Sequence, residues 1–250
     1  MIKIVENKAE KMSARDLILS LYGLSLKRQF TTELLNRAEN RLILLDLNAK
    51  DVTSLALSLT NFSSEFRKFV PILLKYVSKL TKNDFHTISS LTYAFALFDV
   101  ESEELLEKII LWLPSIISKE VGSQIFLYFS RFRKKVPDRI FSKFHQIYIQ
   151  ISRDTTESNL QRIAFLLLSE HFDGLVSEFL PEKEFGFSFD LGLEKERLLF
   201  EVNGDTHYNC RNELQLLDVF RKKLVQSKGW RVIELRKESL RREIIKKLID

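Results

Sequence analysis

The sequence predicts a mixed chain: an N-terminal α-helical repeat array, an α-α solenoid, followed by a small α/β domain. Apolar residues recur at helical spacing in four triples over the first 150 residues. Only 7 Gly and 4 Pro are present to interrupt helices. The last third changes to short apolar runs closed by turn residues, the pattern of strands.

The triples define the helical part. Leu17, Leu21 and Leu24 fall at i, i+4 and i+7 on one helix face. Leu55, Leu59 and Phe62 follow 38 residues later, Leu91, Phe95 and Phe98 36 after those, and Ile125, Phe129 and Phe132 another 34 on. Each triple precedes a second apolar helix: Leu34-Leu35 to Ala38, Ile72-Leu73 to Val77, Leu105-Leu106 to Leu113, and Ile140 through Phe144 and Ile147 to Ile151. A lone hairpin cannot bury such a face, so stacking of successive hairpins is expected. An ordinary bundle also carries such triples; their regular spacing favours the array. Asn83-Asp84 and Pro137-Asp138 mark helix starts, and Pro71 calls for a late start or a kink. Thr155 to Phe172 reads as one more amphipathic helix, with Leu160, Ile163, Leu166 and Leu167 on one face.

Asp173-Gly174 and Pro181 then break the chain. Phe185 to Leu193 alternates as a strand, Glu194 to Arg197 forms a charged hairpin loop, and Leu198 to Val202 is a second strand closed by Asn203-Gly204-Asp205. From Arg211 the period becomes helical through Leu214, Leu217, Phe220 and Leu224, and Lys228-Gly229 ends that helix. Trp230 to Leu235 is a further strand, and Ser239 to Ile249 a basic helix. The expected division is 1–151 for the helical region and 152–250 for the α/β domain, with its sheet at about 185–235.

Glu201-Val202-Asn203-Gly204-Asp205-Thr206-His207-Tyr208, the basic helix after it and Gly229-Trp230-Arg231-Val232-Ile233 together resemble the RAP domain. The resemblance covers roughly Asn159 to Asp250, and Ser158 to Arg162 resembles the S-x-L-Q-R that precedes RAP sheets. Its most specific part is E-x-[DN]-G-x-x-H-[FY] with G-[WY]-x-V downstream. RAP domains end many organellar RNA-binding proteins, among them the FAST-kinase-like proteins of animals and sets in algae and apicomplexans. The RAP domain is in turn similar to the PD-(D/E)xK nuclease fold, including Vsr-type endonucleases. The helical part then resembles the degenerate heptatricopeptide or octotricopeptide repeats that precede RAP domains.

The resemblance implies an organellar RNA-binding protein, with the mitochondrion the expected organelle. It would act in rRNA or transcript maturation and stability, or as a component of the mitochondrial ribosome. The implied partners are ribosomal RNA or organellar transcripts, with ribosomal proteins beside them. In PD-(D/E)xK enzymes an Asp on one strand and an acid on the next hold a divalent metal, and a Lys two residues on helps activate water. Asp190 and Glu201 match the acids, whereas Asn203 stands at the lysine position and cannot serve as a cation or a base. Asp205 and His207 could add a ligand and a proton carrier. Glu201, Asn203 and Asp205 alternatively do no more than build the turn around Gly204. The expectation is a retained pocket without catalysis and without a cofactor, Mg or Mn entering only if the corner is active.

A formal net charge of +5 and a pI near 9.1 suit a polyanionic partner. Arg131, Arg133, Lys134, Lys135, Arg139 and Lys143 set six cations against one acid, Asp138. With Arg211, Lys222 and Lys223 from the second basic cluster, these supply the candidate RNA contacts. Tyr93, Trp112, Tyr128 and Tyr148 read as packing residues. Cys210, the only cysteine, excludes an internal disulfide framework and a multi-cysteine zinc site. No apolar run approaches the ~18 residues of a membrane span, so no membrane is expected. The mixed charges of the first 16 residues do not read as a targeting segment. Two rival functions are a metal-dependent endonuclease using Asp190, Glu201 and His207, and a helical scaffold for protein partners.

Overall fold

A computed structural model describes residues 2–27, 29–61, 64–112, 118–152, 158–209 and 211–240. Phe62, Leu113, Cys210, residues 153–157 and the basic helix expected at the C-terminus, from residue 241 on, lie outside them.

Polar caps decide where the helices begin. Ser13 accepts from Asp16 N at 3.1 Å to open α2 (Ala14–Leu26). Thr31 does the same for Leu34 N ahead of α3 (Thr32–Leu42). Asn48 and Asp51 form a reciprocal capping box on α4 (Ala49–Thr60), and Ser118 caps α8 (Lys119–Arg131). Each cap satisfies a backbone N–H that the first helical turn leaves without a partner. A short α1 (Ile2–Lys8), which the sequence pattern did not mark, comes before α2. Pro71 sits in the first turn of α5 (Val70–Val77), after a 3-10 stretch over 64–69, so it produces the late start rather than a kink. The helical set continues with α6 (Phe85–Leu97), α7 (Glu103–Trp112), α9 (Asp138–Ser152) and α10 (Asn159–Ser169).

The described members of the four triples lie on α2, α4, α6 and α8, with Phe98 and Phe132 at the C-caps of the last two, and these helices pack side by side in chain order. Leu17, Leu21, Leu55, Leu59, Leu91, Phe95 and Phe129 are fully or almost fully buried between them. Burying a side chain of that size contributes roughly 1.5–3 kcal/mol before entropy is counted. Polar cross-links between neighbouring hairpins recur at similar separations. Arg15 reaches Asp51, 36 residues away, at 3.3 Å, and the Thr53 and Thr87 hydroxyls meet across 34 at 2.9 Å. Ser89 bonds Gln124 across 35, and Arg131 bonds Asp99 across 32. α6 is buried on nearly every side, because α4, α8 and a helix from the α/β unit all pack on it.

The α/β unit is a four-stranded mixed sheet in the order β1 (Val176–Phe179), β2 (Phe189–Leu193), β3 (Leu198–Asn203), β4 (Arg231–Arg236). The first three strands are antiparallel and β4 runs parallel to β3, the crossover being made by α11 (Leu216–Gln226). Three expectations need correction. The sheet starts earlier than 185, since β1 pairs with β2 through Val176↔Gly192. The strand expected from Phe185 begins only at Phe189, because Gly186 takes φ +69° and turns the chain. The helix expected from Arg211 begins at Leu216, because the Asn209 side chain holds a loop by accepting from Arg211 N at 2.9 Å and Glu213 N at 3.1 Å. Gly192 on β2 has a packing reason, as a Cβ there would lie 2.3 Å from the Phe179 ring.

α10 covers one face of the sheet through Ala164 and Leu168 against Leu191, Leu193, Phe200 and Val202. The remaining sheet-side residues, Phe185, Phe187, Phe189, Leu199, Phe220 and Trp230, belong to the same buried cluster as the helices. Apolar packing thus runs without a break from the helical layer into the α/β unit. Arg211 adds a polar tie, donating to Thr32 Oγ1 at 2.6 Å with its guanidinium 4.6 Å from the Phe30 ring centre. Among the described residues no helix is long and apolar enough to cross a membrane.

Candidate functional site

The β2–β3 hairpin brings the two candidate acids together. Its register pairs Leu191 with Phe200, and one further step sets Asp190 beside Glu201. Asp190 is held from two sides: its Oδ2 accepts from Val202 N at 2.6 Å, and its Oδ1 accepts from Gln161 Nε2 at the start of α10. Burial pushes the Asp190 carboxyl above its ordinary pKa, and these two hydrogen bonds oppose the rise.

Glu201 is 7% exposed, and its partner comes from α11. Arg221 Nη1 donates to Glu201 Oε1 at 3.0 Å and lies 3.7 Å from Asp218 Oδ1. Arg221 also donates to the Ser188 carbonyl, and its guanidinium lies 5.0 Å from the centre of the Phe189 ring. Burial lifts the Glu201 carboxyl to about 7, against the pull of Arg221, while Asp190 and Asp218 add to the rise. Glu201 Oε2 is buried with no hydrogen-bond partner, as are both amide atoms of Asn203. Buried polar atoms are rarely left in this state.

His207 closes the site from the 3-10 turn after β3. Its Nδ1 meets Asp218 Oδ2 at 2.9 Å, which raises its pKa and leaves Nε2 for another partner. Gln161, Asp190, Glu201, Val202, His207 and Arg221 line a cavity of about 470 Å³ together with residues of β1 and the Gly204 turn. Asp205 is exposed, and Asn203 is buried on β3; neither lines that cavity.

The donor set does not suit a divalent ion. Both Asp190 oxygens already accept from N–H groups, and the Glu201 charge is met by the Arg221 guanidinium. Among the described residues no group of three His, Cys, Asp or Glu is placed to hold a metal. The cation at this corner is a protein side chain.

Most of the basic run is answered by nearby acids. Arg131 binds Asp99 through two hydrogen bonds of 2.6 and 2.8 Å. Arg133 pairs with Asp138, donates to Val136 O at 2.9 Å and lies over Phe141. Lys135 pairs with Glu101 and, at 3.0 Å, with Glu103. Lys222 pairs with Glu234 at 2.5 Å, and Lys223 lies close enough to Asp99 to help lower its pKa. Arg211 ties the α/β unit to the helices through Thr32. Lys134, Arg139 and Lys143 are exposed, with no acid within ion-pair distance among the described residues. The last two are four residues apart and share one wall of an open groove along α9 with Gln146.

The inward roles of Arg221, Asp218 and Gln161 escaped the sequence reading. Arg221 sits between Lys222 and a helix-face apolar residue, Phe220, and counts there as one more surface cation. The available signal was its i, i+3 spacing from Asp218 on a helix that follows the Glu201 strand. Comparison with protein-family models and with curated proteins gave no match to this chain.

Proposed function

We propose that this chain is an RNA-binding protein of an organelle, the mitochondrion in the first instance. It acts in rRNA or transcript maturation and stability, or as a component of the mitochondrial ribosome. The helical region is an array of degenerate repeats, a reading supported by polar cross-links between neighbouring hairpins at separations of 32 to 36 residues. A single strand runs along α9, where Arg139, Lys143 and Lys134 neutralise phosphates. One unstacked nucleotide enters the cavity between α10, the β2–β3 hairpin and α11.

The corner descends from a nuclease-like sheet and no longer hydrolyses with a metal. The observation that carries this is the ionic state of Asp190 and Glu201: they stand on adjacent paired strands, as in the nuclease pattern, yet Gln161, Val202 N and Arg221 answer them from within. Arg221 arrives from α11 and supplies the cation that Asn203 cannot.

The test is fluorescence anisotropy of a labelled single-stranded RNA, with the RNA then run on a denaturing gel after incubation with Mg²⁺ or Mn²⁺. Binding with intact RNA is expected. Cutting that requires the metal and disappears in Asp190→Ala would establish the endonuclease instead. No binding at low salt would leave the scaffold reading in its place.

A further inference from the structure

We propose that a groove between the α3–α4 connection and α5 docks a short acidic segment of a protein partner, held by apolar anchor side chains. The groove shares no residue with the α9 groove or the corner cavity, so this inference is independent of the RNA reading.

The α3–α4 connection is unusual in its sequence. Ile43-Leu44-Leu45-Asp46-Leu47-Asn48 carries four apolar residues in six. The corresponding connection one hairpin on, Ser78 to Asp84 between α5 and α6, has one, Leu80, and buries it. In the first connection Leu45 and Leu47 pack inward, but Ile43 and Leu44 stay 53% and 77% exposed. A single exposed leucine needs no explanation, whereas two in succession beside a concavity mark a contact surface. That concavity is about 260 Å³, with Ile43, Leu45, Leu47, Ile72 and Tyr76 in its walls. It falls below the ~300–1,000 Å³ of small-ligand sites, a size for anchor side chains rather than for a whole small molecule.

The rim sets the charge of the partner. Lys75 on α5 and Lys79 just past its end line the groove with one acid, Asp46. Lys79 is engaged by Asp46 at 2.5 Å. Lys75 is exposed and has no ion-pair partner among the described residues. Apolar walls with an unanswered ammonium at their edge match a helix or turn that carries large apolar side chains beside an Asp or Glu. A phosphodiester backbone would find one free cation here rather than a row of them. A bilayer takes up protruding side chains but has none to place in a concavity.

Short random peptides displayed on phage would be selected on the full chain, and the enriched ones measured by fluorescence anisotropy. They are expected to carry at least two large apolar residues with Asp or Glu beside them. Ile43→Ser with Leu44→Ser should weaken their binding about tenfold. Both residues are exposed, so the urea midpoint of that variant should stay at the wild-type value. Lys75→Glu should weaken binding about threefold, and exchanging the peptide's acid for Lys should restore most of that loss. No enrichment over a bare support, enrichment of basic sequences, or equal binding by the double Ser variant would overturn the docking site. Sedimentation with vesicles of phosphatidylcholine and phosphatidylglycerol in equal parts, lost in the double Ser variant, would overturn it in favour of a membrane contact.

Discussion

Tyr128 in the helical layer and Glu201 in the sheet are both buried side chains with a polar end, and they are treated differently. The Tyr128 hydroxyl donates to Ser102 O at 3.1 Å and accepts from Ser102 N at 3.0 Å, so the ring packs beneath a satisfied polar tip. Ser25, Ser58, Thr92 and Ser130 likewise bond back to carbonyls of their own helices. Glu201 has one oxygen on Arg221 and the other on nothing, with the Asn203 amide beside it on β3 equally without partners. These helical groups are satisfied locally, although His145 Nε2 on α9 is not, whereas the sheet corner leaves several polar atoms without partners.

That contrast can be broken at either end. The largest effect belongs to the helical side: Phe129→Ala, which removes a fully buried ring packed edge-on to Phe144 at 5.1 Å, should cost about 4 kcal/mol by urea denaturation. A loss under about 1 kcal/mol would mean the layer is loosely packed. At the corner, Arg221→Met should cost about 3 kcal/mol, because it strands the buried charges of Glu201 and Asp218. Replacing Glu201 by Met as well should restore most of the loss. Were the double variant no better than the single, the ion pair would be a net source of stability rather than a retained polar feature.

The two regions also differ in their response to pH. Glu201 holds its proton more tightly when folded, at about 7 against an ordinary 4.5. Its contribution is therefore complete below about pH 4.5 and lost as the pH rises through about 7. His207, also raised, acts in the same direction above its ordinary 6.5. Asp99, lowered by its hydrogen bond to Arg131, acts oppositely and loses its contribution as the pH falls below the carboxylate range. Stability should accordingly decline by on the order of 2 kcal/mol between pH 5 and 8, and the decline should flatten in Glu201→Gln. A smaller effect is expected of Tyr128→Phe, about 1 kcal/mol from leaving Ser102 N without its partner.

Much of this contrast was legible beforehand. Repeated apolar triples located α2, α4, α6 and α8, because a helix must bury one face and its period shows in the residues themselves. The meeting of Asp190 with Glu201 followed from two strands and a four-residue charged loop. Arg221 was not legible in the same way, since a cation inside a basic helix looks the same whether it faces water or a carboxylate. Short β1 was missed because its exposed Ser177 and Glu178 show no alternation. The pairing of part of the basic run was not legible, because acids 32 residues away, such as Asp99 and Glu103, are invisible to a local count.

The division between acid-paired and unpaired cations gives the most direct test of the proposed function. Single-stranded RNA binding should be titrated with salt for wild type, for Arg139→Gln with Lys143→Gln, and for Arg131→Gln with Lys135→Gln. Removing the unpaired α9 cations should weaken binding and reduce the slope of log K against log salt by about 1.4, roughly 0.7 for each phosphate no longer neutralised. Removing the acid-paired cations should leave that slope near wild type. Equal slopes for all three proteins, or a reduction confined to the Arg131 and Lys135 variant, would contradict the account.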